Sequence, residues 1–146
     1  MLVWEDQEEI NKWISSQRGG YCWPNSFQAL GWERDGQLVA AMAIYDCNGP
    51  NAMLNLAITG KFFPRGLLKA GLTYCFAQLK LKRLTCPIES DNIPSQTLVR
   101  HFGAKLEATL RDAGKSGDML IYTLFPEDCA IWRKLNGQGY KHPRST

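Results

Sequence analysis

Apolar residues recur along the first part of the chain at two spacings that belong to different elements. Ile10, Trp13 and Ile14 follow the three- and four-residue spacing of a helix, and its early turns are acidic, as the helix dipole favours. Further on, two partly alternating apolar runs flank Asp35-Gly36, a dipeptide typical of a two-residue hairpin turn. These patterns predict a helix over 4–16 and antiparallel strands over 26–34 and 37–46.

Beyond this hairpin the patterns alternate between strand and helix. Apolar side chains at helical spacing predict an amphipathic helix over 65–79. Pro94 near its start and Gly103 at its end bound a later helix, with Asp91 or Asn92 as the N-cap. The other predicted elements are strands at 52–58 and 83–89, a hairpin of strands 104–111 and 118–125, and a closing helix over 126–137.

Taken in order, these elements read α-βββ-α-β-α-ββ-α, which predicts an α/β (α+β) fold. The sheet is mixed and mostly antiparallel, with helices on its faces. A strand–helix–strand unit after a meander adds a parallel pair, and a right-handed crossover places helix 65–79 on one face. With 146 residues and no repeat or linker, the chain has the length of one domain. We expect this domain over 1–136 and a basic C-terminal tail over 137–146.

Composition narrows the class of protein. Hydrophobic residues make up 45% and charged residues 21%, which is typical of a globular protein rather than a disordered one. The longest unbroken apolar run, 38–45, is too short to span a bilayer. The first ten residues are acidic where a signal peptide is basic. We therefore expect a cytoplasmic protein with no membrane partner, and a net charge of +3 is too small to argue for nucleic acid.

The cysteines do not form a recognisable metal or disulfide framework. They are five, an odd number, and no two have Cys-x-x-Cys spacing. Three of them lie in apolar runs, which predicts buried, reduced thiols. With only His101 and His142 to assist, no metal site can be assembled from sequence neighbours, and no metal cofactor is expected.

The stretch TGKFFPRGLLK (59–69) combines two glycines with three positively charged residues, more charge than a simple turn requires. It joins a predicted strand to a predicted helix, where unpaired backbone N–H groups and the helix dipole attract anions. Gly60 and Gly66 allow an anion close to the backbone, and Lys61 and Arg65 add positive charge. The pattern predicts a phosphate cradle, although not a Walker loop, because no Gly-Lys-Ser/Thr opens the helix. An ordinary glycine- and proline-containing turn with solvated cations is the alternative.

About 70 residues, from residue 52 onward, share spaced positions with one family. They include an aromatic-ending helix, an L-x-L-x-R entry to a strand and an N-x-x-S helix start, followed by G-A-x-x-E-x-x-L-R and D-x-x-x-Y-x-L strands. In these positions the chain resembles the GNAT superfamily of N-acetyltransferases, particularly the branch that acetylates ribosomal proteins. The positions are Phe76, Leu79, Leu81, Arg83, Asn92, Ser95, Leu98, Gly103, Glu107, Leu110, Arg111, Asp118 and Tyr122.

The resemblance implies acetyl-CoA as co-substrate and a primary amine as acceptor, on a small molecule, a peptide or a protein. It implies that strands 52–58 and 83–89 splay apart and admit the pantetheine arm, with the pyrophosphate on 61–67 and acceptor specificity in the loop at 112–117. Homodimerisation is compatible with it. The cofactor-binding residues that it implies are Leu56, Ala57, Ile58, Lys61, Arg65, Gly66, Leu67 and Asn92, the last of which is equally suited to a helix N-cap.

The sequence departs from the family pattern at three places. Leu68 stands where the phosphate loop has a second small residue, and is expected to narrow the approach of the pyrophosphate. Val99 stands where many members have a tyrosine general acid. Finally, about 25 residues precede the first meander strand, so the usual first strand or one N-terminal helix is expected to be missing or abbreviated.

Two hypotheses of different classes follow. The leading one is an N-acetyltransferase acting by direct transfer, with Glu89 as first candidate for the general base and Asp46 and His101 behind it. The alternatives for these residues are a surface carboxylate for Glu89 and a helix-end cation for His101. The competing hypothesis is a GNAT-fold protein, for example a phage-associated one, that has lost its chemistry and serves in binding or structure.

Overall fold

The described part of the chain, residues 1–17 and 28–137 of the computed structural model, contains seven strands and four α-helices. A π-helical turn (Thr73–Gln78) continues the second helix, and a 3-10 turn (Pro126–Asp128) precedes the fourth. The predicted order is confirmed, with a short first strand added. The strands are β1 (Leu2–Val3), β2 (Gln28–Arg34), β3 (Gln37–Tyr45), β4 (Asn51–Ile58), β5 (Arg83–Glu89), β6 (Lys105–Leu110) and β7 (Met119–Leu124), and the helices are α1 (Gln7–Ser16), α2 (Arg65–Leu72), α3 (Ile93–His101) and α4 (Ala130–Gly137).

The seven strands form one sheet in the order β1-β2-β3-β4-β5-β7-β6. Only the central β4–β5 pair is parallel among the described strands, so the sheet is mixed and mostly antiparallel, as predicted. Most of the predicted tail, residues 138–146, lies outside the described residues. No helix in the described ranges is long and apolar enough to cross a membrane.

The first strand, β1, is short. Only Leu2 and Val3 pair with β2, opposite Trp32 and Gly31. The amino group of Met1 donates to the carbonyl of Glu33 at 2.7 Å, and the N–H of Glu33 donates to the carbonyl of Met1 at 2.8 Å. These two bonds extend the contact by one residue. β1 is thus a strand of two residues. The expected loss or shortening of an N-terminal element stays a prediction, because residues 18–27 lie outside the described residues.

The two faces of the sheet are covered differently. On one face, Ile10 and Ile14 of α1 pack on a patch of small side chains, which lets the helix approach the strands closely. Asp6 caps this helix by accepting from the N–H of Glu9 at 2.9 Å. On the other face, α2, α3 and α4 cover the main core, whose helical side chains include Leu67, Leu72, Val99 and Trp132.

The predicted helix over 65–79 is α-helical only in its first half. From Thr73 to Gln78 it widens into a π-helix, in which the N–H of Leu79 donates to the carbonyl of Tyr74 at 2.9 Å. The wider turn buries the consecutive residues Cys75, Phe76 and Ala77. Three neighbours in sequence would spread around a regular α-helix, so burial of all three favours the wider turn.

The β4–β5 pair is closed at one end and open at the other. Residues 51–53 of β4 pair with 83–85 of β5, and there the ladder stops. Beyond it β4 continues to pair with β3 as far as Ile58, without a register shift, and β5 continues to pair with β7 as far as Glu89. Leu54–Ile58 and Cys86–Glu89 therefore diverge, and we refer to the space between them as the wedge.

Pro87 explains where the ladder ends. The N–H of Arg83 donates to the carbonyl of Pro50 at 3.2 Å, while the N–H of Ser90 donates to β7 at Asp118, at 3.0 Å. Because backbone groups alternate in direction along a strand, the odd-numbered residues of β5 direct their N–H and C=O groups toward β4. The next donors toward β4 would be residues 85 and 87, and proline has no N–H. The carbonyl of Leu54 is left without the donor that would extend the pairing.

Side chains tie the closed end together across four strands. The guanidinium of Arg83 binds both carboxylate oxygens of Glu107 and donates to the Thr123 hydroxyl at 2.8 Å. The Thr85 hydroxyl donates to the Asn51 side chain at 2.6 Å. Hydrogen bonds from Arg83 and Thr123 lower the pKa of the Glu107 carboxyl to about 2. The closed end is thus held by a charged network as well as by the ladder.

Candidate functional site

The wedge opens into two adjoining cavities that share Leu56, Asn92 and Ser95 in their walls. The β5 cavity, about 200 Å³, lies toward the end of β5 and the loop between β6 and β7. The β4 cavity, about 530 Å³, lies toward the end of β4 and the start of α3. A ligand threaded through the wedge would therefore contact both cavities.

The backbone of β4 turns alternate residues toward the wedge. The N–H of Thr59 donates to the carbonyl of Val39 at 3.0 Å, so the odd-numbered residues of β4 direct their N–H and C=O groups toward β3. Leu54, Leu56 and Ile58 consequently direct their N–H and C=O groups toward β5. The Met53–Thr85 pair engages the N–H of Leu54, whereas no β5 residue in the described chain pairs with Leu56 or Ile58. Of the three predicted pantetheine contacts, Leu56 and Ile58 present backbone groups to the wedge, and Ala57 lines the β4 cavity.

Asn92 and Ser95 stand where the two cavities meet, at the start of α3. The Asn92 side chain caps the helix by accepting from the N–H of Ser95 at 3.3 Å. One residue further, Gln96 donates to the carbonyl of Ser90 at 3.0 Å and accepts from the buried Tyr122 hydroxyl at 3.2 Å. These bonds fix the start of α3 to β5 and β7. The predicted cap at Asn92 is confirmed, and its contact with a ligand stays a prediction.

Glu89 lies in the wall of the β5 cavity and also holds a loop. One carboxylate oxygen accepts from the N–H of Lys115 at 2.8 Å. A Cβ atom at Gly114 would overlap the other oxygen, so glycine is required for this close approach. Nearby, the Ser116 hydroxyl donates to Asp91 at 2.9 Å. The loop between β6 and β7 is thereby docked on the end of β5.

The structure does not bring the other two candidate bases to the wedge. Asp46 is exposed just after β3, beside the start of β4, because these strands are antiparallel. The wedge opens at the opposite end of β4. His101 is exposed at the last position of α3, with its ring 6.2 Å from that of Phe102. Neither side chain lines the β4 or the β5 cavity.

The predicted phosphate cradle has free donors at the start of α2. Pro64 is the N-cap and no side chain caps the helix. The first intrahelical bond runs from the N–H of Leu68 to the carbonyl of Pro64 at 3.1 Å, so the N–H groups of residues 65–67 have no helical partner. Lys61 lines the β4 cavity, which residues 65–67 do not line, whereas Arg65 lies in a separate groove with Lys69 and α4.

Three residues of the cradle act through packing. A Cβ atom at Gly66 would overlap the Trp32 indole, so this glycine allows α2 to lie close to β2. Leu67 and Leu68 are both buried in the main core. Since the Leu68 side chain is turned inward, it does not narrow the approach to the N–H groups, contrary to the expectation from sequence.

Val99 is also buried in the core and has no group that can transfer a proton. Ser95, four residues earlier on the same side of α3, has a hydroxyl that lines both cavities. Sequence reasoning identified Ser95 as a motif position but did not assign it to the site. Cys86 also lines the β5 cavity, and burial raises the pKa of its thiol to about 12, which keeps it protonated at neutral pH.

Several solved structures of acetyltransferases have a similar fold. A chimera of Vibrio cholerae spermidine N-acetyltransferase SpeG and hSSAT is 17% identical, with 87% of this chain and 97% of that chain covered and a TM-score of 0.69. Vibrio cholerae SpeG in complex with manganese ions is also 17% identical, with 94% and 95% covered and a TM-score of 0.68.

Mycobacterium smegmatis RimJ, in complex with CoA-disulfide, is 21% identical, with 78% of this chain and 61% of that chain covered and a TM-score of 0.58. No protein-family model matches the sequence, and no curated protein matches it. At these identities the likeness concerns the fold, and it confirms the predicted GNAT fold.

Proposed function

We propose that this chain is an N-acetyltransferase that moves the acetyl group of acetyl-CoA directly to a primary amine. The observation that carries the proposal is the wedge. It leaves a row of backbone groups on β4 facing an opening, at the centre of a sheet whose other strand pairs are closed in the described chain. A folded protein has little other reason to leave central strands unpaired.

The wedge fits the pantetheine arm of acetyl-CoA. That arm is extended and carries two amides, so it can bind β4 as an additional strand would. Leu56 and Ile58 supply the N–H and C=O groups, and their apolar side chains pack against the main core. Asn92 and Ser95 form the opposite wall.

The start of α2 fits the pyrophosphate. Uncapped N–H groups at residues 65–67 and the positive end of the helix dipole attract an anion, and Lys61 adds a mobile charge. An ordinary solvated turn would leave the same N–H groups to water. Lys61 lines the β4 cavity and precedes these N–H groups by four to six residues, and its positive charge favours the phosphate site over the plain turn.

The reaction proposed here requires no covalent enzyme intermediate. The amine loses its ammonium proton to solvent before it attacks. The neutral nitrogen then bonds to the thioester carbonyl carbon, the carbon–sulfur bond breaks, and the nitrogen loses one further proton. We assign that proton to Glu89, which lines the β5 cavity, and the thiolate takes a proton from water because Val99 offers none. The Ser95 hydroxyl, shared by both cavities, is placed to donate a hydrogen bond to the carbonyl oxygen or to the departing sulfur.

The β5 cavity suits an acceptor that approaches as a cation. The acidic Glu89 and Asp91 line it together with one cation, Lys115, and the neutral Asn55 and Ser116, so negative groups outnumber positive ones. SpeG is named for spermidine, an amine of this kind. We therefore place short polyamines first among the acceptors to be tried, ahead of peptide N-termini and protein lysines.

The test begins with acetyl-CoA binding. A ligand at one hundred times its dissociation constant stabilises the folded state by about 2.7 kcal/mol, which is several degrees of melting temperature at this size. A thermal-shift titration should show this increase, and Lys61→Glu should reduce it. Lys82→Glu, the same charge change at an exposed position outside both cavities, is the control and should leave it unchanged.

Turnover is then measured as acetylated product by mass spectrometry with polyamines, peptides and proteins as acceptors. Absence of any melting shift at millimolar acetyl-CoA would overturn the proposal. Tight binding with no product from any acceptor would instead support the competing hypothesis of a protein that has retained the co-substrate site and lost its chemistry.

A further inference from the structure

A second surface lies beyond the wedge, in the groove between α2 and α4. Arg65 and Lys69 of α2 and Lys134 of α4 line it, over a floor made by Ile131 and Leu135. We propose that this groove binds the 3′-phosphate of the coenzyme A ribose, so that the protein distinguishes acetyl-CoA from its 3′-dephospho form. The inference rests on the proposed function and adds a site for the nucleotide end of the co-substrate.

The two helices run in opposite directions, which places the groove at the open end of the sheet. The Phe76 ring, beyond the end of α2, lies 5.7 Å from the Trp132 ring, near the start of α4. Lys134 and Leu135, nearer the end of α4, share the groove with Arg65, the first residue of α2. Since α2 begins just after β4, the groove lies on the same side as the wedge.

The charges in the groove are unfavourable without an anion. Arg65 stands at the start of α2, where the helix dipole disfavours a cation, and Lys69 follows at the i+4 position, where like charges repel. Lys134, in the last turn of α4 where the helix dipole favours a cation, adds a third positive charge, and no acidic side chain lines the groove. None of the three takes part in an ion pair within the described residues. A phosphate dianion would offset all of these costs at once.

The floor of the groove favours a nucleotide over a bare phosphate ion. Ile131 and Leu135 are half-buried, and their apolar surface lies between cations that are exposed. Such a surface can take the ribose or the face of the adenine ring, while the charged side chains hold the phosphate. Inorganic phosphate would use the charges and leave the floor exposed to water.

The distance along the chain agrees with one ligand spanning both sites. Lys61 lines the β4 cavity and Arg65 lines the groove, with the uncapped start of α2 beside Arg65. Four steps along the backbone separate these residues, a span of at most about 15 Å. The pantetheine arm in the wedge, the pyrophosphate at the start of α2 and the 3′-phosphate in the groove then follow in their chemical order.

The experiment compares the dissociation constants of acetyl-CoA and 3′-dephospho-acetyl-CoA by isothermal titration calorimetry. The unmodified protein should bind the dephospho form at least about tenfold more weakly, because charge-assisted bonds to the phosphate are lost. Lys134→Glu and the neutral Lys134→Gln should weaken acetyl-CoA binding and leave the dephospho form nearly unchanged. Lys82→Glu should preserve the difference between the two ligands.

The outcomes separate this proposal from the proposed function. Equal affinity of the unmodified protein for both ligands would overturn the groove proposal and leave the acetyltransferase proposal standing. A preference for acetyl-CoA that persists in both Lys134 variants would also overturn it. Failure of both ligands to bind would overturn the two proposals together. Circular dichroism of each variant confirms that the fold is retained, and Lys134→Gln carries the test if the charge reversal unfolds the protein.

Discussion

Over its first three residues β4 pairs with β5, and over its next five it does not. The closed segment is held by the ladder and by the Arg83–Glu107 network across neighbouring strands. The open segment faces the two cavities, and its strands are held from outside, β4 by β3 and β5 by β7. The same two strands thus stabilise the fold where they are paired and form an opening where they are not.

This difference separates residues that hold the fold from residues that offer a site. At the closed end, polar side chains bind one another, as Thr85 binds Asn51. At the open end, Leu56 and Ile58 turn backbone groups to the wedge, and Pro87 prevents the ladder from covering them. Changes at the open end should therefore alter binding and turnover more than stability, and changes at the closed end the reverse.

The largest effect is expected at the open end, from Glu89→Gln. Loss of the proposed base should lower kcat by roughly 10²-fold, with acetyl-CoA affinity unchanged. Glutamine retains an oxygen that can accept from the Lys115 N–H, so the loop stays docked and the change isolates proton transfer. Steady-state kinetics with the best acceptor, together with calorimetry, measures both quantities.

Two further variants make this result specific. Asp46→Asn, at the closed end, should retain full activity. Gly114→Ala keeps the carboxylate but places a Cβ atom against it, so it should displace the loop and affect the KM of the acceptor more than kcat. Full activity of Glu89→Gln would remove Glu89 from the proposed mechanism.

An intermediate effect is expected from Pro87→Ala, which supplies the missing N–H. A bond from residue 87 to the Leu54 carbonyl would close part of the wedge. One hydrogen bond contributes about 1 kcal/mol, so acetyl-CoA should bind about fivefold more weakly. Hydrogen exchange should show the new amide at residue 87 protected in the free protein and less protected with ligand.

The same measurements can contradict this interpretation of Pro87. Unchanged affinity together with rapid exchange of the new amide would show that strand twist, rather than the missing donor, opens the wedge. Pro126, in the 3-10 turn before α4 and outside both cavities, offers a control: Pro126→Ala should leave the affinity for acetyl-CoA close to that of the unmodified protein.

The smallest effect is expected at the closed end, from Glu107→Gln. The folded-state pKa of Glu107 is about 2, below its usual value of 4.5, so the carboxylate stabilises the fold above pH 4.5 and this contribution is lost as the pH falls toward 2. Because the side chain is largely exposed, solvent keeps the contribution small. Urea denaturation should show the unmodified protein more stable at pH 6, with the difference shrinking toward pH 2.

A difference between the two proteins that stays constant with pH would place the stabilisation in packing and not in charge. Acetyl-CoA affinity at neutral pH should be the same in both, because Glu107 lies outside the two cavities. A loss of affinity in Glu107→Gln would contradict the separation of the two ends.

Part of the site could have been predicted from the sequence, namely the position of Asp46 away from the opening and the place of Ser95 on α3. Asp46 ends β3, and an antiparallel partner places that end beside the start of β4, away from an opening at the ends of β4 and β5. Ser95 was recognised as a motif position, and its spacing to Val99 already placed the two on one side of a helix. Arg65 and Lys61, by contrast, are close in sequence and lie in different depressions of the surface.

The sequence by itself determined the elements and their order, because periodicity, caps and turns are local signals. The strand predicted at 83–89 matches β5, Asn92 caps α3, and Asp35-Gly36 turns β2 into β3. Only the tertiary structure decided what these elements surround. The wedge depends on the register between β4 and β5, and Gly66 is needed because Trp32, thirty-four positions earlier, packs against it. Such contacts join residues far apart in the chain, and no local pattern encodes their distance.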